Sequence, residues 1–509
     1  MSRAFTGRSH KRNGADRNGA DNAPMDLAPP PSRRHPLALL ALVGALALAG
    51  CAAPGTPRAN PPAPLDVPSS WSAAPSGTDP TPLAEWWRGF GDETLSQLVR
   101  EALAANTSVR SAQAALRQAR ATRDATVAGA GPSLRFGGSA QRSKSGDNPA
   151  GNRFQAGFDA GWEPDIFGGN AAGIAASEAD VRATETTLAH AQVSLAAEVA
   201  IHYIELRNLQ QRLALARRIL ALQQETLQIT RWRVQAGLAS SLELEQATAS
   251  TAQTEAQIPA LEASLEQARH ALAVLTGQPP AALQERLASV AAVPVPPDGW
   301  ALSLPADTLR QRPDVAAAAH RLQAALARLD EAEAARYPSL QLSGSVGLSA
   351  LTLGGLTGGS ATVANALLAS ISWPLFDGGA TRARIEAQDA AVEQARLAYE
   401  AAVLAALQEV EDALVAIRGD RERLERLRVA AAAAANAELL ARQRYASGLI
   451  DFSAVLETQR TLLSAQDNLA GAHATLSADH VRLYKALGGG WQPDVPTAAS
   501  LTTEASPRP

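Results

Sequence analysis

Residues 337–346 read YPSLQLSGSV, and 206 positions earlier the chain reads GPSLRFGGSA at 131–140. The same offset sets Val109 of NTSVRSA on Val315 of RPDVAAA. Further along, EPDIFGGN (163–170) answers WPLFDGGA (373–380), RVQAGLASSLELEQ (233–246) answers RYASGLIDFSAVLE (444–457), and ALAVLTG (271–277) answers RLYKALGG (482–489). The offset drifts only from 206 to about 212 across the five landmarks, in order. Chance self-similarity does not keep that order, so one structural unit occurs twice, over roughly 92–277 and 303–489.

Each unit reads helix, strand, strand, very long helix, turn, helix. Between Ala171 and Ala236 there is no proline, and the one glycine, Gly173, lies at the start. Apolar positions there step by four and three: Leu195, Val199, Leu206, Leu209, Leu213, Ala216 and Leu220, with His202 the polar member. Val403, Leu407, Val410, Leu414, Ile417 and Leu424 repeat the pattern. A period of about 3.5 residues is a coiled-coil seam. At about 1.5 Å per residue such a run makes a rod of roughly 100 Å, far longer than a globular domain needs. Gly237 and Gly448 mark the points where each rod turns back as an antiparallel hairpin, and Pro259 is expected to kink or break the first returning helix.

The strands keep a period of two. FQAGFDAGW puts Phe154, Ala156, Phe158, Ala160 and Trp162 on one face; SLQLSGSVGLSA does the same with Leu340, Leu342, Val346 and Leu348, Gly344 between them. Segments of about ten residues with this alternation fit either membrane-barrel strands or a small soluble layer capping the helices. Long polar or Gly-rich connections at 141–153 and 351–362 favour the barrel. Four strands cannot close a barrel, and an open edge cannot sit in lipid. Several copies must then share one barrel, and three copies supply twelve strands, more than the roughly eight whose side chains fill the interior.

The amino-terminal region places the chain outside the cytoplasm. SRRHPLALLALVGALALAGC has a basic start (Arg33, Arg34), a short apolar run from Leu37 to Leu48 and then small residues, the pattern of an export signal and too short to span a bilayer. Met25 would give that signal a conventional length. Leu48-Ala49-Gly50-Cys51 ends it on the chain's single cysteine. The sequence matches a lipobox, whose cysteine receives a diacylglycerol; an ordinary signal-peptidase site is the competing reading. Position 52 is Ala and not Asp, which by resemblance to bacterial lipoproteins implies the outer rather than the inner membrane. One lipid cluster anchors only moderately, so a second membrane-binding element is expected.

With one cysteine there is no disulfide framework, and burial and oligomerisation must hold the protein together. Beyond residue 50 the chain keeps 39 of its 46 Lys and Arg and 47 of its 50 Asp and Glu, a formal balance of −8 that argues against nucleic acid as partner. Aromatic residues are only 4% of the chain, while Ala, Leu, Gln, Glu and Arg dominate, the composition of long helices.

WWRGFGDETLSQLVREALAAN (86–106), LRQRPDVAAAAHRLQAALARLDEAEAARYPSLQLSGSVG (309–347), WPLFDGGATRARIEAQ (373–388) and RYASGLIDFSAVLETQRTLL (444–463) together resemble the TolC-like outer-membrane factor family, in particular its NodT-type efflux lipoproteins. The resemblance covers about residues 82–489. It implies a mainly α protein with a small membrane β-barrel: a homotrimer whose long antiparallel helices form a periplasmic tunnel below a shared twelve-stranded barrel. Such proteins are exit ducts of tripartite pumps, joined through a periplasmic adaptor to an inner-membrane transporter, and they carry out no chemistry. In that family the tip of the second repeat constricts the tunnel. Carried over by position, Tyr445 keeps the aromatic and Glu457 holds the acidic position. Ser453 stands where an apolar residue is common, and Val234 where an aromatic often follows the arginine, with Trp232 two residues earlier.

No phosphate loop with a lysine, no HExxH and no free thiol pair occurs, so neither an enzyme nor a cofactor beyond a covalent lipid on Cys51 is expected. His473 and His480 lie seven apart on one seam, where packed histidines are expected, as at His202. GSVGLSALTLGGLTGGS reads as a loop without a helix behind it. The expected organisation is a leader and signal peptide over 1–50, a lipidated and flexible linker over 51–81, repeats over 82–300 and 301–489, and a disordered tail over 490–509. Two other functions remain open: a coiled-coil envelope spacer that conducts nothing, and an exit duct for secreted proteins. The hairpin tips at Gly237 and Gly448 are the expected adaptor-docking points, and the lipids of the outer membrane the other partner.

Overall fold

The computed structural model describes residues 69–71, 83–144, 146–147, 149–296, 309 and 311–491. Cys51 and the export signal lie outside the described residues.

After a 3-10 turn at Trp86–Phe90 come α1 (Glu93–Ala105), α2 (Thr107–Gly129), β1 (Ser133–Ser143), β2 (Gly151–Trp162), α3 (Gly169–Gln235) and α4 (Ser241–Leu275). The second repeat gives α5 (Pro313–Ala334), β3 (Ser339–Ala350), β4 (Thr362–Ser372), α6 (Ala380–Ala446) and α7 (Phe452–Ala486). Both long helices have 67 residues and both returning helices 35. The offset between repeats is 206 up to the first strand of each pair and 211 after the second. The drift is thus one five-residue step inside the β3–β4 hairpin.

Each return covers about half of its long helix. α3 is therefore paired with α4 along its distal half and with α2 and α5 along the half nearer the strands. The seam read from the sequence is the one buried: Val199 and Leu206 are inaccessible, and Leu195, Leu209, Leu213 and Ala216 are buried. All of these but Ala216 join Trp86, Phe90, Leu95, Leu98 and Tyr484 in the main core, where Trp86 stacks on Tyr484 at 5.1 Å and 11°.

The two repeats close on themselves at this level with equivalent parts. Asn106 ends α1 in extended backbone and caps α2 by accepting from the Ser108 and Val109 amides. Its Nδ2 also donates to the Leu275 carbonyl at the end of α4 (2.9 Å). Its repeat counterpart Arg312 donates to the Ala486 carbonyl at the end of α7 (2.7 Å). Gly277 and Gly488 follow those helix ends with φ of +72° and +77°. A Cβ on them would meet the Ala105 carbonyl oxygen at 2.7 Å and the Gln311 carbonyl oxygen at 3.2 Å.

Four expectations are corrected. α4 runs unbroken through Pro259. The first strand connection is only 144–150, because the antiparallel register continues to Ser143↔Gly151. Trp71, expected in a flexible linker, is buried in the main core. At the other end order continues past 489: the Gly490 amide donates to the Leu83 carbonyl and Trp491 Nε1 to the Gln311 carbonyl.

Candidate functional site

The four strands form one antiparallel sheet in the order β1-β2-β3-β4, so within one chain β1 and β4 keep unpaired outer edges. Register sorts its side chains onto two faces. One face carries Leu134, Phe136, Phe158, Trp162, Leu342, Val346, Leu348, Val363, Leu367 and Ile371. No core covers it: Phe136 is 69%, Ile371 74% and Leu367 89% exposed. The opposite face is mostly Ser, Gly, Gln and Ala with three charges, Arg135, Arg153 and Asp159, and one large apolar side chain, Leu368. A sheet with its large apolar side chains outward and its polar ones opposite is inverted for water and suited to lipid around an aqueous lumen. Strands of 11 or 12 residues, tilted about 40°, cover roughly 29 Å of membrane.

An aromatic rim bounds the apolar face on its helix side. Trp162 and Trp373 stand at equivalent repeat positions and donate from Nε1 to the Ala130 carbonyl (3.3 Å) and the Arg336 carbonyl (3.1 Å). Tyr337 stacks on Phe167 at 5.0 Å. Below that rim the carboxylates of Asp165 and Asp377 accept from amides in the first turns of α3 and α6. The Thr381 hydroxyl, which also donates to Asp377 (2.6 Å), and then the Thr381 and Gly379 amides hold the Asp377 carboxyl below the usual carboxylate range.

The hairpin tips repeat as closely. α3 and α6 end in the same two bonds: Gly237 and Gly448, with φ of +72° and +69°, donate to the carbonyls of Val234 and Tyr445, and Leu238 and Leu449 to those of Arg233 and Arg444. Leu238 and Leu449 are left 69% and 72% exposed at the turn. Ser240 then caps α4 by accepting from the Glu243 amide.

Of the three residues expected at the constriction, two are brought together and one is not. Ser453 and Glu457, one turn apart, lie exposed on the same face of α7. Tyr445 is turned away into the contact between hairpins: its ring lies 5.3 Å from Phe452 and joins Leu227, Ala247 and Leu456. The Arg233 guanidinium of α3 sits 4.6 Å above that ring. Burial raises the Tyr445 hydroxyl above its ordinary range. The sequence reading missed Arg233 as Tyr445's partner, although an arginine precedes the turn glycine by four in both repeats. Trp232 is exposed and takes no part in this contact.

The histidines are packed or half-buried. His480 is buried and its Nδ1 donates to the Leu476 carbonyl (2.7 Å), while burial lowers His473. Among the described residues no cluster of His, Cys, Asp and Glu is arranged to hold a metal ion. No described helix is long and apolar enough to cross a membrane.

The family described as "Outer membrane efflux protein" matches residues 98–278 and 304–489. Nodulation protein T of Rhizobium leguminosarum bv. viciae is 33% identical over 476 residues, covering 93% of this chain and 98% of that protein. The pyoverdine export outer membrane protein OpmQ of Pseudomonas aeruginosa is 33% identical, covering 85% and 94%. The solved structure of the outer-membrane channel OprN superposes with a TM-score of 0.78 at 35% identity, covering 84% of this chain and 99% of that one.

Proposed function

The chain belongs to the outer membrane efflux protein family, and from that premise we propose how it serves as the outer-membrane exit duct of an efflux system. Three copies join the β4 edge of one sheet to the β1 edge of the next, closing twelve strands into a hollow barrel with no edge left in lipid. The observation that carries this reading is the sheet's exposed apolar face set against a polar one. A spacer lipoprotein would have no use for it.

Below the membrane the helical hairpins continue the barrel as a tunnel into the periplasm. Six tips, two per chain, form its closed end, with Gly237 and Gly448 allowing each tight turn. The exposed Leu238 and Leu449 beside them offer apolar contacts to the helical hairpin of a periplasmic adaptor, which links the duct to an inner-membrane transporter. Ser453 and Glu457 line the narrow end, and Tyr445 holds the two hairpins of a protomer together behind them. Cys51 carries the lipid that adds a second hold on the outer membrane. The duct passes small toxic compounds handed to it by the transporter, so its own specificity is coarse and set by charge and width.

Sedimentation of the detergent-solubilised protein, corrected for bound detergent, tests the assembly. A trimer mass is expected, with no stable monomer; a monomer or dimer would refute the shared barrel.

A further inference from the structure

The membrane part of the chain carries its few charges unevenly. The second strand pair, 339–372, has no Asp, Glu, Lys, Arg or His. The first, 133–162, has four basic residues, Arg135, Arg142, Lys144 and Arg153, against Asp147 and Asp159. This excess stands in a chain whose formal balance is −4. Register separates the strand charges by face. Arg135 lies directly across from Asp159 on the polar face, so those two offset one another. Arg142 falls on the apolar face, beyond Ala140, where its side chain reaches the lipid boundary.

Arg153 is different. It is exposed on the polar face, opposite Gln141 and three residues past the 144–150 turn, the sheet end farthest from the helices. Its neighbours along that face are Ser139, Gln155 and Gly157, none of which is acidic. We propose that Arg153 forms an anion-favouring ring at the outer mouth of the duct, a selectivity element at the opposite end from Glu457. The inference rests on the trimeric duct, since only closure of the barrel brings three copies around one axis.

Twelve strands about 4.8 Å apart and tilted by about 40° enclose a barrel of roughly 12 Å radius, and an arginine side chain carries its charge to about 8 Å from the axis. Three charges at that distance, screened over a Debye length of about 8 Å, enrich monovalent anions on the axis about two- to threefold and deplete cations equally. Near 1 M salt the Debye length falls to about 3 Å and the enrichment nearly vanishes. The ring therefore favours departure of anionic solutes and opposes entry of cationic ones from outside, chiefly at low ionic strength.

Reversal potentials of single trimers in planar bilayers across a KCl gradient near 0.1 M test this. Arg153→Gln should raise the cation-to-anion permeability ratio about four- to ninefold, the square of the two- to threefold enrichment because anions and cations shift oppositely, with the shift lost near 1 M KCl. Arg142→Gln, on the lipid face, should leave the ratio unchanged. Arg153→Cys allows the comparison within one folded population: a cationic methanethiosulfonate added from outside should restore the wild-type ratio, and an anionic one should move it further toward cations. Equal ratios for wild type and Arg153→Gln at low salt, a larger shift from Arg142→Gln, or identical effects of the two reagents would overturn the assignment of Arg153. Absence of any conductance from the wild-type trimer would instead overturn the duct reading beneath it.

Discussion

Arg233→Ala should open the periplasmic end of the duct. The Arg233 guanidinium lies 4.6 Å from the centre of the Tyr445 ring, the polar half of a contact joining the tip of the first hairpin to the tip of the second. Widening a ring of six tips requires the two hairpins of each protomer to part, which breaks this contact. A half-exposed cation–π pair contributes about 1 kcal/mol. If the three protomers open in concert, loss of three such contacts shifts the closed-to-open balance by about 3 kcal/mol, roughly 150-fold. Single-trimer recordings at fixed voltage report the balance directly as open probability. Tyr445→Ala should open the channel further, because it also removes the packing against Phe452, Leu227 and Leu456. Tyr445→Phe keeps the ring face under the guanidinium and should remain mostly closed. An open probability for Arg233→Ala within twofold of wild type would refute the reasoning, as would a Tyr445→Phe channel as open as Tyr445→Ala.

Gly277→Ala should destabilise the protein by about 2 kcal/mol or more and Gly488→Ala by less, read as lowered unfolding midpoints. Both glycines have positive φ, but the new methyl meets a carbonyl oxygen at 2.7 Å in the first case and 3.2 Å in the second. Asp479 lies buried in α7, and burial, then the Asp420 carboxyl, push its own carboxyl up to about 6 from an ordinary 3.8. The folded state holds that proton more tightly, so the stability it contributes in acid is lost as pH rises through about 6; Asp479→Asn should gain about 2 kcal/mol at pH 7.5 and far less at pH 4 in thermal unfolding. Cys51→Ser should abolish incorporation of labelled palmitate yet leave the protein in the outer membrane, held by its strands. Its release into the soluble periplasm would contradict the barrel.

The helices and strands were legible because each has a period that side-chain burial enforces. Leu195, Val199, Leu206 and Leu209 announce a buried seam, and Phe154 to Trp162 a two-faced strand. Duplication strengthened both, since each element could be read twice. The ends of elements were less legible. Gln141, Arg142 and Ser143 look like loop, yet their backbone stays in the ladder because strand pairing is set by neighbouring backbone rather than by polarity. Pro259 fits within α4 because the hairpin fixes the helix on both sides of it. The tip was half legible: RYASG gives the aromatic and the turn, but Tyr445's partner lies 212 residues away on another hairpin. Asn106 and Arg312 show what repeat-aware reading can recover, for two chemically unlike side chains at one repeat position both reach for the last carbonyls of a returning helix. Arg153 carried no motif at all, and only strand register set it apart from Arg142.

Conductance of single purified trimers in a planar bilayer tests the central claim most directly. A duct that is closed at its periplasmic tips predicts a small, gated, resting conductance with a preference for cations, blocked by multivalent cations at the Glu457 ring and weakened in both respects by Glu457→Gln. A protein that inserts stably as a trimer yet never conducts, in wild type and in Tyr445→Ala alike, would contradict it.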